Sequence, residues 1–88
     1  MLDIHQCEIF VQVAELKSFS KAAQRMYLTQ PTVSQHICAL ESYLGARLFD
    51  RLGKEVALTR AGEVLYGYAK QITALRGKAQ QALDLLMG

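Results

Sequence analysis

SFSKAAQRMYLTQPTVSQHICALESYL, residues 18–44, predicts two short helices joined by a tight turn. Ser18 and Ser20 can each accept a hydrogen bond from the free N–H groups of a first helical turn, and residues 21–26 carry that helix. Thr29 can cap the second helix in the same way, and Pro31 falls in its first turn, where the missing N–H breaks no hydrogen bond. We therefore expect the chain to be organised around this hairpin, with the other residues holding it in place.

The predicted second helix has two different faces. At about 100° per residue, its apolar stripe consists of Val33, Ile37, Leu40 and Leu44. The opposite side carries Pro31, Gln35, Cys38 and Ser42, flanked by Thr32, Ser34 and His36. Short, uncharged hydrogen-bonding groups of this kind suit the edge of a nucleic acid base. Periodicity alone fits a polar surface helix of a bundle as well.

A long set of residues at fixed spacing runs through nearly the whole chain. It consists of Phe10, Ser18, Phe19, Ser20, Ala22, Ala23, Thr29, Gln30, Pro31, Val33, Ser34, Ile37, Leu40, Glu41, Leu44, Gly45, Leu48, Phe49, Arg51, Leu58, Thr59, Ala61 and Gly62. In this pattern the chain resembles the N-terminal DNA-binding domain of the LysR-type bacterial transcriptional regulators. The resemblance implies a mainly α fold: a winged helix-turn-helix with a short two-stranded β wing and a long C-terminal linker helix. Tyr27 departs from such turns, which often carry Gly, Asn or His where φ becomes positive.

Composition limits the class of protein. With 88 residues the chain is one domain at most, and its ten Lys and Arg against eight Asp and Glu give a net charge of +2. This value is too small to indicate nucleic-acid binding by itself. Between residues 17 and 36, however, the charged residues are Lys17, Lys21 and Arg25, with no acid, whereas acidic residues collect in the preceding segment. One face of the protein is therefore expected to be basic.

Several classes of function lack the residues that they need. Cys7 and Cys38 lie far apart and outside any CxxC or Cys/His cluster, which indicates reduced thiols and neither a disulfide nor a metal site. No apolar run approaches the ~20 residues that span a bilayer, and residues 1–3 are no signal peptide. His5 has no Ser, Cys or carboxylate at a catalytic spacing. We expect a cytoplasmic protein that is not an enzyme and binds no metal, cofactor or membrane.

The segments on either side of the hairpin are expected to support it. The first, Ile4–Leu16, is predicted to be a scaffold helix whose apolar face holds Ile4, Cys7, Phe10, Val11, Ala14 and, less clearly, Val13. After a glycine cap at Gly45, residues 47–51 and 54–58 are β-prone and flank a glycine turn. This is the predicted wing, about 46–58. Its apolar side chains are expected to close the core: Leu48, Phe49, Val56 and Leu58.

A last helix is predicted from about Arg60, capped by Thr59. Its apolar residues follow a heptad pattern typical of a helix-packing seam: Leu65, Tyr68, Ile72, Leu75, Ala79, Ala82 and Leu86. The small body of the protein cannot cover all of this seam, so burial predicts a homodimer through it. The resemblance implies that two such helices pair antiparallel. We therefore expect a DNA-binding domain at 1–59 and a dimerisation helix at 60–88.

These elements predict a sequence-specific binder of double-stranded DNA, with the second helix of the hairpin in the major groove. The residues expected to meet bases are Gln30, Pro31, Thr32, Ser34 and Gln35. Those expected to contact phosphates are Ser18, Ser20, Lys21, Arg51 and Lys54, although charged residues of a hairpin can also be merely solvated. The resemblance implies an effector domain beyond Gly88. A helical interaction module that binds no DNA is the alternative, and DNA titration at low salt would separate the two.

Overall fold

The computed structural model describes residues 2–50 and 55–88. Within these residues there are four helices and one two-stranded antiparallel sheet: α1 Ile4–Leu16, α2 Phe19–Arg25, α3 Gln30–Leu44, β1 Phe49–Asp50, β2 Ala57–Leu58 and α4 Arg60–Met87. The scaffold helix, the two-helix hairpin, the paired strands of the wing and the long last helix are all confirmed. The predicted glycine turn of the wing lies outside the described residues.

Side-chain caps begin the last three helices at the predicted residues. Ser18 Oγ accepts from the backbone N–H of Lys21 at 3.1 Å and Thr29 Oγ1 from that of Thr32 at 3.3 Å. Thr59 Oγ1 accepts from the backbone N–H of Gly62 at 3.0 Å. Each bond satisfies a donor that has no partner inside its helix, which explains why the helices begin at these residues.

The turn between α2 and α3 uses the left-handed backbone region at an aromatic residue. Tyr27 has φ +58° and its side chain is 95% exposed. The turn closes through the backbone N–H of Leu28, which donates to the carbonyl of Ala23 at 2.9 Å. The positive φ that such turns often give to Gly, Asn or His is thus present here at a tyrosine. At the end of α3, Gly45 has φ +70° and confirms the predicted glycine cap.

The core lies where α1 meets the hairpin and the wing. Three rings meet at its centre, with the Phe49 centroid 5.3 Å from Phe10 and 5.7 Å from Phe19. Around them pack the other large, fully buried side chains: Ile9, Val13, Val33, Leu40 and Leu48. Val56 and Leu58 of the wing are partly buried against this cluster.

Two details of the predicted apolar faces are wrong. Ile9 is fully buried although the α1 pattern omitted it, because α2, α3 and α4 all contact α1 and cover it on several sides. Conversely, Ile4 and Leu44 are exposed although both lie on predicted apolar stripes. Both residues stand at an end of their helix, beyond the neighbours that would cover them.

The wing and the start of α4 are joined by close backbone contacts. Glu41 Oε2 accepts from the backbone N–H of Leu48 at 2.7 Å, and Thr59 Oγ1 donates to the carbonyl of Arg47 at 2.5 Å. Gly62 lies so close to β1 that a Cβ atom there would overlap the carbonyl oxygen of Leu48. The first turn of α4 therefore lies directly against Leu48, the residue before strand β1 of the wing.

Helix α4 runs antiparallel to α1 and then extends past it. Glu15 of α1 accepts a hydrogen bond from the Tyr66 hydroxyl at 2.9 Å, and Glu8 pairs with Arg76 at 3.3 Å. From residue 74 onward every residue is exposed. Beyond Arg76, no hydrogen bond or ion pair joins the exposed end of α4 to another described element. No described helix is long and apolar enough to cross a membrane.

Candidate nucleic-acid interface

The N-terminal end of α3 presents the residues that were predicted to meet bases. Gln30, Pro31 and Gln35 are exposed, whereas Thr32 and Ser34 are half-buried. The buried stripe of Val33, Ile37 and Leu40 fixes the opposite side of the helix against the core. Packing therefore leaves a surface of uncharged hydrogen-bonding groups on the first two turns of α3.

The hydroxyls at the start of α3 are arranged by the cap itself. Thr29 Oγ1 and Thr32 Oγ1 lie 2.8 Å apart and share a hydrogen bond, while Thr29 Oγ1 also accepts from the Thr32 backbone N–H. The first-turn N–H groups and these two hydroxyls face the same end of the helix. Such an end attracts negative groups, because the helix dipole is positive there.

The start of α2 supplies the other predicted contacts on the hairpin. Ser20 and Lys21 are exposed, and Ser18 is half-buried with its Oγ accepting the capping bond from Lys21. A hydroxyl in this arrangement still has its O–H free to donate to an outside acceptor. Ser18, Ser20 and Lys21 thus form a small donor group at one end of the hairpin.

The basic residues at the hairpin and the acidic residues of α1 differ in their ion-pair partners. Within the described residues, Lys17, Lys21 and Arg25 are exposed and take part in no ion pair. The α1 carboxylates of Glu8 and Glu15 instead face α4, where Arg76 and Lys70 lie 3.3 and 4.0 Å away. These two acids of the preceding segment thus pair with α4, and neither forms an ion pair with the three basic residues.

The remaining predicted phosphate contacts, Arg51 and Lys54, lie outside the described residues. In the sequence they fall between β1 and β2, which pair Phe49 with Leu58 and Asp50 with Ala57. The exposed Arg47 precedes them, and its guanidinium donates to the carbonyl of Phe49 at 3.5 Å.

The predicted dimer residues of α4 divide into two groups. Leu65 and Ile72 are partly buried within the chain, and Leu65 packs against the core. The other five are exposed: Tyr68, Leu75, Ala79, Ala82 and Leu86. Val64, which the heptad pattern omitted, is exposed as well. Its position four residues before Tyr68 is the sequence signal that could have identified it.

Two pKa shifts accompany this packing, and neither produces a reactive group. Burial raises the pKa of the Cys7 thiol, and the nearby Asp3 and Glu8 charges add to the shift. The hydrogen bond to Glu15 raises the pKa of the Tyr66 hydroxyl. Both groups therefore stay protonated at neutral pH. Among the described residues, no group of three His, Cys, Asp or Glu side chains could hold a metal ion.

The fold is shared with solved DNA-binding domains. The chain superimposes on the BenM DNA-binding domain in complex with benA site 1 DNA with a TM-score of 0.90 and 29% identity, covering 99% of this chain and 98% of that one. For the CbnR DNA-binding domain in complex with DNA, the TM-score is 0.86 at 29% identity, covering 99% and 100%. The predicted fold, a mainly α winged helix-turn-helix with a linker helix, is confirmed.

Sequence relatives agree with this likeness. An uncharacterized HTH-type transcriptional regulator of Azotobacter vinelandii, from the ibpB-leuC intergenic region, is 47% identical over 99% of this chain and 60% of its own length. The HTH-type transcriptional activator CmpR of Synechocystis is 38% identical over 97% of this chain and 28% of its own length. The chain thus spans less than two thirds of either relative. The sequence model described as "Bacterial regulatory helix-turn-helix protein, lysR family" matches residues 4–63, and the chain belongs to this family.

Proposed function

We propose that this chain is the sequence-specific, double-stranded DNA-binding unit of a cytoplasmic transcriptional regulator that binds an inverted-repeat operator as a homodimer. The observation that carries the proposal is the exposed, uncharged start of α3, in a hairpin whose exposed charged residues, Lys21 and Arg25, are both basic. A major groove accepts an α-helix, and its base edges need short donors and acceptors of this kind.

In this arrangement the first two turns of α3 enter the major groove. Gln35 is the best base reader, because an exposed amide can donate and accept at the same adenine. Gln30, Pro31, Thr32 and Ser34 line the approach to the base edges or to adjacent phosphates. The family membership and the DNA complexes formed by the two structural neighbours support a DNA-binding role for the chain.

Phosphate contacts would fix the position of α3 in the groove. Ser18, Ser20 and Lys21 can donate to one strand from the start of α2, and Arg51 and Lys54 would reach the backbone from the wing. Residues 1–59 would then bind DNA, and residues 60–88 would pair the two copies of the chain. In a protein as long as CmpR, we expect α4 to connect the DNA-binding unit to an effector domain.

The dimer sets the spacing of the operator. Helix α4 has 28 residues, which corresponds to about 42 Å at 1.5 Å per residue. Antiparallel pairing of two such helices would separate the two α3 helices on a scale comparable with the ~34–36 Å between successive major grooves on one side of DNA. Two half-sites in inverted orientation follow from the two-fold axis.

Recovery of genomic fragments protected by the purified protein tests the proposal. We expect one class of fragments with an inverted repeat, bound with a steep salt dependence. Absence of binding at low ionic strength would contradict it and favour the alternative, a helical interaction module that binds no DNA.

Gln35→Ala is expected to lower the affinity for the cognate operator more than the affinity for random DNA, and so to reduce the discrimination between the two. Loss of a base contact costs roughly 1–3 kcal/mol on the cognate site, about 5-fold to 150-fold, and much less on random DNA. Fluorescence anisotropy with both DNAs measures this difference. Gln81→Ala, an exposed glutamine of α4, is the matched control. Equal losses on the two DNAs would mean that Gln35 only positions the protein.

The double variant Arg51→Ala, Lys54→Ala is expected to weaken binding to cognate and random DNA alike. Removing two phosphate contacts flattens the plot of log K against log salt by about two units. Lys78→Ala, which removes an exposed charge from α4, serves as the control. An unchanged slope would show that the wing charges are merely solvated.

A further inference from the structure

The part of α4 that the body of the chain leaves uncovered carries its own apolar stripe. At 100° per residue around the helix axis, the residues of this stripe lie within about 40° on either side of Leu75. We call it the free face and define it as Val64, Tyr68, Gln71, Leu75, Ala79, Ala82 and Leu86. The exposed fractions of its four large apolar side chains are 60% for Val64, 63% for Tyr68, 67% for Leu75 and 82% for Leu86. No charged residue lies on the free face.

The spacing of the residues along the free face is the same in both chain directions. Its successive steps are four, three, four, four, three and four residues, with Leu75 at the centre. Eleven residues separate Val64 from Leu75 and Leu75 from Leu86. This is not the heptad seam, because Leu65 and Ile72 turn toward the chain's own body and are partly buried. A repeat of eleven, 3.67 residues per turn, is close to that of a straight helix.

Side-chain size follows the same symmetry. Opposite a second, antiparallel copy with its two-fold axis at Leu75, Tyr68 meets Ala82, Gln71 meets Ala79 and Val64 meets Leu86. The bulkiest side chain thus faces a small one, as close packing requires. Parallel pairing would instead set Tyr68 against Tyr68 and Ala82 against Ala82, a collision beside a void.

We propose that the two-fold axis of the antiparallel pair lies at Leu75, so that the free faces of the two copies pack on each other. The pairing register is set by Tyr68 of each copy packing on Ala82 of the other. This inference rests on the proposed dimer and adds to it the axis and the residue pairs.

Disulfide cross-linking tests the register without DNA. The background is Cys38→Ser, since Cys38 is exposed while Cys7 is buried. We expect Leu75→Cys to link to itself under mild oxidation. Tyr68→Cys and Ala82→Cys should link when mixed and much less when each is oxidised alone. Gln81→Cys, exposed but about 120° from Leu75 around the helix, is the control and should stay unlinked.

A size swap gives an independent readout. Ala82→Tyr should weaken the dimer at least tenfold in sedimentation equilibrium, because two tyrosines then meet. Adding Tyr68→Ala should restore most of the affinity, since each large residue again faces a small one. Failure of the second change to rescue the first would contradict the proposed pairs.

The outcomes separate this inference from the proposed function. Self-linking of Tyr68→Cys and of Ala82→Cys without mixing would mean parallel helices and overturn the register. A dimer whose Leu75→Cys variant links no better than Gln81→Cys would overturn it too. Neither outcome bears on DNA binding, which the DNA titration tests separately. A wild-type protein that stays monomeric at tens of micromolar would contradict both the proposed register and the proposed dimer.

Discussion

Replacing Leu75 by Asp is expected to convert the dimer to a monomer and to lower affinity for a two-half-site operator by about 100-fold or more. Two carboxylates would meet at the two-fold axis, on a face that carries no charged residue of its own. An unpaired charge buried in this way costs several kcal/mol. A monomer occupies one half-site at a time and therefore loses the contribution of the second, which is typically worth 10²-fold or more.

Leu75 is a cleaner target than Ile72 of the same helix. Leu75 is largely exposed in the single chain, so its replacement should leave the monomer folded, whereas Ile72 is partly buried within the chain. Sedimentation equilibrium and anisotropy with one or two half-sites measure the two effects. Gln81→Asp adds the same charge away from the free face and should remain dimeric. A Leu75→Asp protein that is still fully dimeric would contradict the assigned interface.

The second large effect is expected at Gly62, where any side chain should destabilise the fold. A Cβ atom added there would overlap the Leu48 carbonyl oxygen and lie 2.9 Å from Leu58 Cδ2. The first obstacle is backbone, and that carbonyl also accepts the Thr59 N–H at 2.9 Å, so it cannot move away freely. We expect Gly62→Ala to cost at least about 2 kcal/mol, because overpacking of a rigid site typically costs 1–3 kcal/mol or more.

Two other glycines of α4 provide matched controls. Gly67 and Gly77 have open space where a Cβ would stand. Gly67→Ala and Gly77→Ala should each stabilise the protein by roughly 0.5–1 kcal/mol, since alanine favours the helix. Thermal unfolding at equal protein concentration measures all three variants, and Gly62→Ala should lower Tm by about 10 °C or more. A Gly62→Ala protein as stable as the Gly67→Ala protein would refute the close contact.

Much of the candidate DNA interface could be predicted because it depends on residues near one another in the chain. The caps at Ser18 and Thr29 and the apolar stripe from Val33 to Leu40 are local patterns, and they alone orient Gln35 outward. How deeply the residues next to Gln35 on α3 are buried by the other elements could not be predicted. Ser34, for example, is half-buried because it lines the same small pocket as Phe19 of α2 and Phe49 of β1.

The sequence by itself determined the helices, their caps, the wing strands and the family, since these follow from short-range periodicity and fixed spacing. Only the tertiary structure decided the role of each side of α4. The heptad reading placed Leu65 and Ile72 in the same seam as Tyr68 and Leu75, but α1 pairs with α4 through Glu15 and Glu8 and turns the first two toward the body. The tertiary structure also decided that Gly62 has no room for a side chain, because Leu48 contacts it only once the wing and α4 pack together. Contacts between distant segments depend on how whole elements pack, and periodicity within one helix does not contain that information.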